Sequence, residues 1–334
     1  MKHAANPMIS EDREYEMRID NGQPSVWFFD GKWRAWYSAF TSCSKPRESV
    51  PYCNNAPQTC GTASPHKKAE RGTALLYAES DDCVVWRKPD LGLTSWNGST
   101  ANNLVELGGM TTGVYLDENA PRDERYKLVT GSNDAGLLAL SADGLTWGAT
   151  KDLAPQAFGR WDTPKNIVWD EERAQWILYD RSQPTPDSIR IQSYTHSLTA
   201  DFMGDWSPTM PTGLNSSKDY QPDGLVVWPY AGIFLGLGNV FNPTQSNGTL
   251  PVGQVNAVLG WSADGRRWKW LRPNDSLIPL GAPADFDACG VFGAKQEPLR
   301  TATDDELRLY YVGCNGPSAR VCSEKANVSS RPKR

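Results

Sequence analysis

The chain has 334 residues, 39% hydrophobic and 22% charged, with 34 Lys and Arg against 39 Asp and Glu for a net charge of −5. That length admits one large all-β domain or two ordinary domains, either with a full core. No apolar run approaches the roughly eighteen residues that a membrane-spanning helix needs, and the acidic balance argues against a broad nucleic-acid-binding face.

Taken in chain order, the elements repeat. The N-terminal MKHAANPM has no apolar run, and the segment Asn6–Ile9 is expected to complete the last unit of the fold. SVWFFD (25–30) and WRAWYS (33–38) read as a hairpin across a DGK turn. A polar, Pro-containing insertion at about 41–70 holds Cys43, Cys53 and Cys60. TALLYAES (73–80) then supplies a third strand and runs into ESDDCVVW, ending at Trp86. GVYLDE (113–118), RYKLVT (125–130) and LLALSAD (137–143) form the next set, closing on Trp147. NIVWDE (166–171), QWILYD (175–180) and RIQSYTH (190–196) follow, closing on Trp206. GLVVWP (224–229), IFLGLG (233–238) and NAVLGWSAD (256–264) close on Trp268. GVFGAK (290–295) and LRLYYVG (307–313) open a last set for which little chain remains.

The closing Trp residues recur roughly every 60 residues, so the units are structural repeats. Strand, tight turn, strand, loop, strand, S-x-D-G-x-x-W turn and short outer strand describe four antiparallel strands per unit. The expected fold is all-β: a five-bladed β-propeller with about 60 residues and four antiparallel strands per blade. It forms a single domain over residues 1–320, and the polar, basic 321–334 is a tail. Within the turns, Ser and Asp cap the backbone and Gly takes a positive φ, so Asp143 and Asp264 read as structural.

The cysteines sit in loops. Three lie in the insertion, and Cys314 and Cys322 flank another Gly- and Pro-rich stretch, a placement that reads as disulfide staples. With N-x-S/T sequons at Asn97, Asn215, Asn247, Asn274 and Asn327, the expectation is a secreted protein whose signal peptide is not in this chain. There is no CxxC pair, and His3, His66 and His196 are scattered, so no zinc site is expected.

In a propeller, the residues just before each inner strand converge on one end of a central channel. Those positions are Asp20–Gln23, Thr111–Thr112, Arg160–Asp162, Gln221–Asp223 and Asp285–Asp287. Asp162, Asp223 and Asp287 each precede an apolar run. Carboxylates that converge in a partly desolvated funnel repel one another and split their pKa values, the condition for an acid beside a base or nucleophile. A lone Asp before a strand is also a common turn former; recurrence at one structural phase favours the functional reading. Glu16 and Asp20 offer further carboxylates, and Gln23, Gln221 and Thr112 further polar contacts. Trp161 could stack on a sugar ring, while Arg160 could hold a carboxylate, sulfate or phosphate. No cofactor is required, although converging carboxylates could hold a structural calcium.

Five blades with Asp-rich strand starts resemble the propeller glycoside hydrolases of families 32 and 43. The resemblance is strongest to uncharacterised family-32-like proteins. It runs through YAESDDCVVWRKPDLGL, Asn102–Asn103, APRDERYKLV, RWDTPKNIVWD, SADGRRW, IPLG and FDACGV to LRLYYVG, about 20–315 in all. The resemblance implies a monomeric glycoside hydrolase acting on a polysaccharide or oligosaccharide, with no nucleic-acid or membrane partner. The departures matter: Gln23 stands where the arabinanase-like families have the Asp of an Asp-Pro, and the second blade reads TTGVYLDE without its Asp. The invertase-like W-M-N-D-P-N-G, R-D-P and E-C motifs are absent. The acid, base and pKa-tuning roles therefore fall to Asp162, Asp223 and Asp287. The alternatives are a catalytically silent carbohydrate-binding propeller, which Gln23 favours, and a phosphorylase or lyase with Arg160 as anion anchor.

Overall fold

The computed structural model describes residues 1–19, 22–42, 71–107, 112–132, 135–153, 160–161, 165–183, 189–242, 253–282, 285–295, 297–300 and 306–314. Asp20, Asp162, most of the insertion, the tail 321–334 and Cys43, Cys53, Cys60 and Cys322 lie outside them. Among the described residues the fold is all-β, its sole helical element the 3-10 turn Arg122–Glu124.

A first sheet contains β1 (Glu16–Arg18), β2 (Ser25–Phe29), β3 (Lys32–Ser42), β4 (Arg71–Ser80) and β5 (Leu104–Leu107). A second contains β6 (Gly113–Leu116), β7 (Tyr126–Ser132), β8 (Ala135–Ser141) and β9 (Lys151–Leu153). The third has β10 (Arg160–Trp161), β11 (Asn166–Asp170), β12 (Gln175–Gln183), β13 (Ile191–His196) and β14 (Met210–Pro211). The fourth is built on β15 (Gln221–Tyr230), β16 (Ile233–Asn242) and β17 (Gln254–Ser262), with β18 (Lys269–Trp270) and β19 (Ser276–Ile278) at its edge. The chain ends in β20 (Gly290–Gly293), β21 (Leu299–Arg300), β22 (Leu307–Arg308) and β23 (Tyr311–Cys314). A single parallel pairing, Val255 with Gly290, joins β20 and its partner β23 to the fourth sheet.

Apolar alternation on each strand buries side chains between successive sheets. Trp36, Leu75 and Tyr77 of the first sheet pack on Val114, Tyr126 and Leu128 of the second. Val129 and Leu138 pack on Ile167 and Leu178 of the third, and Ile177 and Tyr179 pack on Leu225 and Phe234 of the fourth. Leu299 and Tyr310 from the end of the chain pack on the core of the first sheet. The last elements therefore return to the first.

The S-x-D-G turns explain how each sheet seats on the next. Asp82 Oδ1 accepts Ser80 Oγ and the N–H groups of Val84 and Val85, which hold its carboxyl below its ordinary value. Asp143 repeats this with Ser141, Leu145 and Thr146, and Asp264 with Ser262, Arg266 and Arg267. The residue after each Asp has a positive φ: Cys83 at 59°, Gly144 at 74° and Gly265 at 71°. That geometry turns its carbonyl toward the preceding sheet. Trp36 Nε1 donates to Gly144 O at 2.7 Å, Tyr179 OH to Gly265 O at 2.5 Å, and Tyr310 OH to Cys83 O at 2.6 Å. Between the second and third sheets, Lys151 Nζ does the same for Met203 O and Gly204 O.

Three expectations are corrected. Asn6–Ile9 meets the last strands without forming a strand of its own: Asn6 Nδ2 donates to Tyr311 OH at 3.3 Å. LRLYYVG is not one strand: Leu307–Arg308 pairs with Leu299–Arg300, and Tyr311–Cys314 with Gly290–Gly293. Cys314 is a thiol, as is Cys83, so the staple expected at Cys314 is not formed.

A Cβ on Gly144 would sit 2.5 Å from Trp36 Cζ2 in addition to straining a positive φ, whereas Gly213, also at positive φ, has nothing within 4 Å. Gly213→Ala should therefore cost about 1 kcal/mol and Gly144→Ala about 2–4 kcal/mol. Urea unfolding midpoints of the two variants will check the difference.

Candidate active site

Bonds between strands of neighbouring sheets build a polar centre. Ser25 Oγ accepts Val114 N–H at 3.0 Å, Asn166 Oδ1 accepts Val227 N–H at 3.0 Å, and Asn239 Oδ1 accepts Gly293 N–H at 2.9 Å. Lys295 closes the set: its N–H reaches Pro24 O at 2.7 Å, its carbonyl accepts Asn166 Nδ2 at 3.0 Å, and its Nζ donates to Thr112 O at 2.6 Å. A Cβ on Gly113 would lie 2.7 Å from Lys165 O, so only glycine lets the second and third sheets approach this closely.

The expected site residues that are described fall in different places. Gln23 is 1% exposed beside this centre, and its Oε1 has no hydrogen-bond partner among the described residues. Thr112 is buried and its Oγ1 donates to Thr130 Oγ1 at 2.8 Å. Asp223 falls at an irregularity in β15, between Pro222 and Gly224, which turns it out of the ladder. Its Oδ1 accepts from both Arg181 Nη1 and, at 2.7 Å, Arg190 Nη1. Among the described residues no bond reaches its Oδ2. Gln221 is turned away, its Nε2 donating to Lys218 O at 3.1 Å. The backbone of Arg160 and Trp161 pairs with Gln183 and Ser182, at the end of β12 that carries Arg181.

Two expected carboxylates sit elsewhere. Asp287 is 1% exposed, accepts Tyr311 OH at 2.8 Å and pairs with Lys2 Nζ at 2.6 Å, which ties the N-terminal segment to the last strands. Among the described residues it shares no partner with Asp223. The Glu16 side chain is fully buried in the first sheet: Tyr37 OH and Lys88 Nζ donate to it at 2.7 Å each, with the N–H groups of Asp12 and Arg13. Burial, with Glu16 alongside, pushes the Tyr37 phenol well up, so it stays a donor. A cavity of about 1380 Å³ lies next to this network, between the N-terminal segment and the first and last sheets, with Met8, Tyr37, Phe286 and Tyr311 in its walls.

Sequence reasoning missed the cations. Lys165 is wholly buried, 3.5 Å from Asp180, and burial pushes the Lys165 ammonium down and the Asp180 carboxyl up to about 7. Lys295, wholly buried near Lys165, is pushed down to about 7. The available signal was weak: Asp180–Arg181 is a charged pair at the end of the apolar QWILY, where an ordinary strand end looks the same. Among the described residues no three His, Cys, Asp or Glu side chains gather to hold a metal ion.

No family model matches the sequence, and no curated protein does. Solved structures do match. A thermostable family-43 glycoside hydrolase superposes with a TM-score of 0.55 at 12% identity, covering 89% of this chain and 85% of the other. A putative glycosidase from Bacteroides thetaiotaomicron gives 0.53 at 16% identity, covering 93% and 95%. A family-43 enzyme from Xanthomonas citri, complexed with xylose, gives 0.51 at 10% identity, covering 91% and 83%. The fold is that of the family-43 glycoside hydrolases. At these identities the likeness extends to the fold alone, and the finer resemblance to family-32-like proteins stays a reading of the sequence.

Lys295 makes a pH test of the centre. An unfolded lysine keeps its ordinary value of 10.5, while the folded one lies near 7. Between these values the unfolded chain binds the extra proton, so stability rises with pH across that window. Lys295→Met has nothing to titrate and will lack that rise. The melting temperature of the wild type relative to the variant should therefore climb from pH 7 to pH 10. A flat difference would mean that Lys295 stays charged throughout.

Proposed function

We propose that the chain folds as a single five-bladed propeller over residues 1–320 and hydrolyses glycosidic bonds in an oligosaccharide or polysaccharide at its central channel. The observation that carries this reading is the state of Asp223. Two guanidiniums fix one carboxylate oxygen while the other bears no bond among the described residues. An oriented carboxylate with an open oxygen suits a base or nucleophile in glycoside hydrolysis. In this reading Asp162, two residues beyond the Arg160 that pairs with the end of β12, is the acid that protonates the leaving oxygen. Asp223 activates water or attacks the sugar directly, across an oxocarbenium-like transition state. Asp287, tied to Lys2 and Tyr311, tunes the charge of the site from the last strands.

Sugar release from a panel of neutral and acidic polysaccharides and oligosaccharides tests this. Asp162→Asn and Asp223→Asn should each lower release about a hundredfold or more, and Asp223→Asn should also lower the melting temperature, because it leaves the buried Arg181 guanidinium without its carboxylate. Asp287→Asn should also lower stability, because its ion pair anchors the N-terminal segment. Full release by both Asp162→Asn and Asp223→Asn would exclude the assignment. Gln23 favours a second reading, a silent carbohydrate-binding propeller: a buried amide stands where the related enzymes place an acid. Glycan binding equal in wild type and both variants, with no release from any substrate, would establish it.

A further inference from the structure

Arg190 has donors to spare. Only a quarter of its side chain is exposed, its guanidinium lies over the Phe241 ring 4.8 Å from the centroid, and its Nη1 is committed to Asp223. Its Nε and Nη2 bond nothing among the described residues. Those two atoms form the side-on edge of a guanidinium, whose parallel N–H groups match the two oxygens of a carboxylate. Packing on Phe241 and pairing with Asp223 fix the plane of that edge, so little rotamer freedom remains to be lost on binding. Arg181 and Arg190 meet at the single Asp223 carboxylate.

We propose that the channel takes a saccharide bearing a uronic acid carboxylate, gripped by the Nε and Nη2 edge of Arg190 beside Asp223. This rests on the reading of the channel as a sugar site and names the substrate class. A planar carboxylate fits the fork; a tetrahedral sulfate would use Arg190 as a point charge.

Calorimetry with oligouronates, their methyl esters and sulfated neutral oligosaccharides tests it, at low and at high salt. For the wild type the free acid should bind about tenfold or more tightly than its methyl ester, the fold-change a charge-assisted pair supports. That preference should shrink in salt. Arg190→Gln should abolish it, and Arg190→Lys, which keeps the charge without the fork, should retain only part. Matched melting temperatures will show that both variants are folded. Equal binding of acid and ester by the wild type, or a preference that survives Arg190→Gln, overturns the proposal. Sulfated sugars bound as tightly as uronates overturn the fork. The two readings fail separately. Acid preference without sugar release from any substrate sinks hydrolysis and leaves this inference standing; release from neutral sugars with no acid preference does the reverse.

Discussion

Lys295 is held by three parts of the fold at once. Its N–H, carbonyl and ammonium reach Pro24 of the first sheet, Asn166 of the third and Thr112 of the second, from a strand pair joined to the fourth. These bonds link segments far apart in sequence, so they form only when the chain has closed on itself. The constraint is expensive, because an ammonium removed from water costs several kcal/mol even after relaxation. The protein reduces that cost by lowering the Lys295 pKa toward 7 and by giving the ammonium a carbonyl to bond. A buried polar centre of this kind specifies register, since any slip would leave its donors and acceptors unpaired.

Around that centre one device recurs. A side-chain carboxylate caps a turn, a positive φ turns out the next carbonyl, and a donor from the preceding sheet takes it. Gly144 and Gly265 accept this geometry at no steric cost. Cys83 does the same job at 59° with a side chain present, and its donor, Tyr310, comes from the far end of the chain. The closure between last and first sheets thus uses the same joint as the interior ones. It also uses the N-terminal segment, through the ion pair of Lys2 with buried Asp287.

The carboxylates divide by partner. Glu16 is enclosed by Tyr37, Lys88 and two amides, and Asp287 is enclosed by Lys2 and Tyr311. Asp223 differs, because both of its partners grip the same oxygen and because Arg190 is itself only partly engaged. Sequence phase treats Asp223 and Asp287 as equivalent residues ahead of equivalent strands. Their partners differ because the neighbouring elements differ: blade-like strands bearing arginines on one side, the chain terminus on the other.

The sequence by itself determined the strand order, the turn chemistry and the repeat. Period-two apolar alternation and S-x-D-G turns act locally, and a repeat of local rules is legible without knowing what packs on what. It also placed Gln23, Thr112 and Asp223 at strand starts, since position along a strand is a local property. The tertiary structure alone decided which charges meet. Lys165, Asp180, Arg181, Arg190 and Lys295 look like ordinary strand-end residues in the chain, and each becomes informative only through a partner brought from elsewhere or through burial. The same reason accounts for the end of the chain. Whether LRLYYVG continues one ladder or splits depends on the Tyr310 bond to Cys83 and on the hairpin with Leu299–Arg300, contacts that no local pattern encodes.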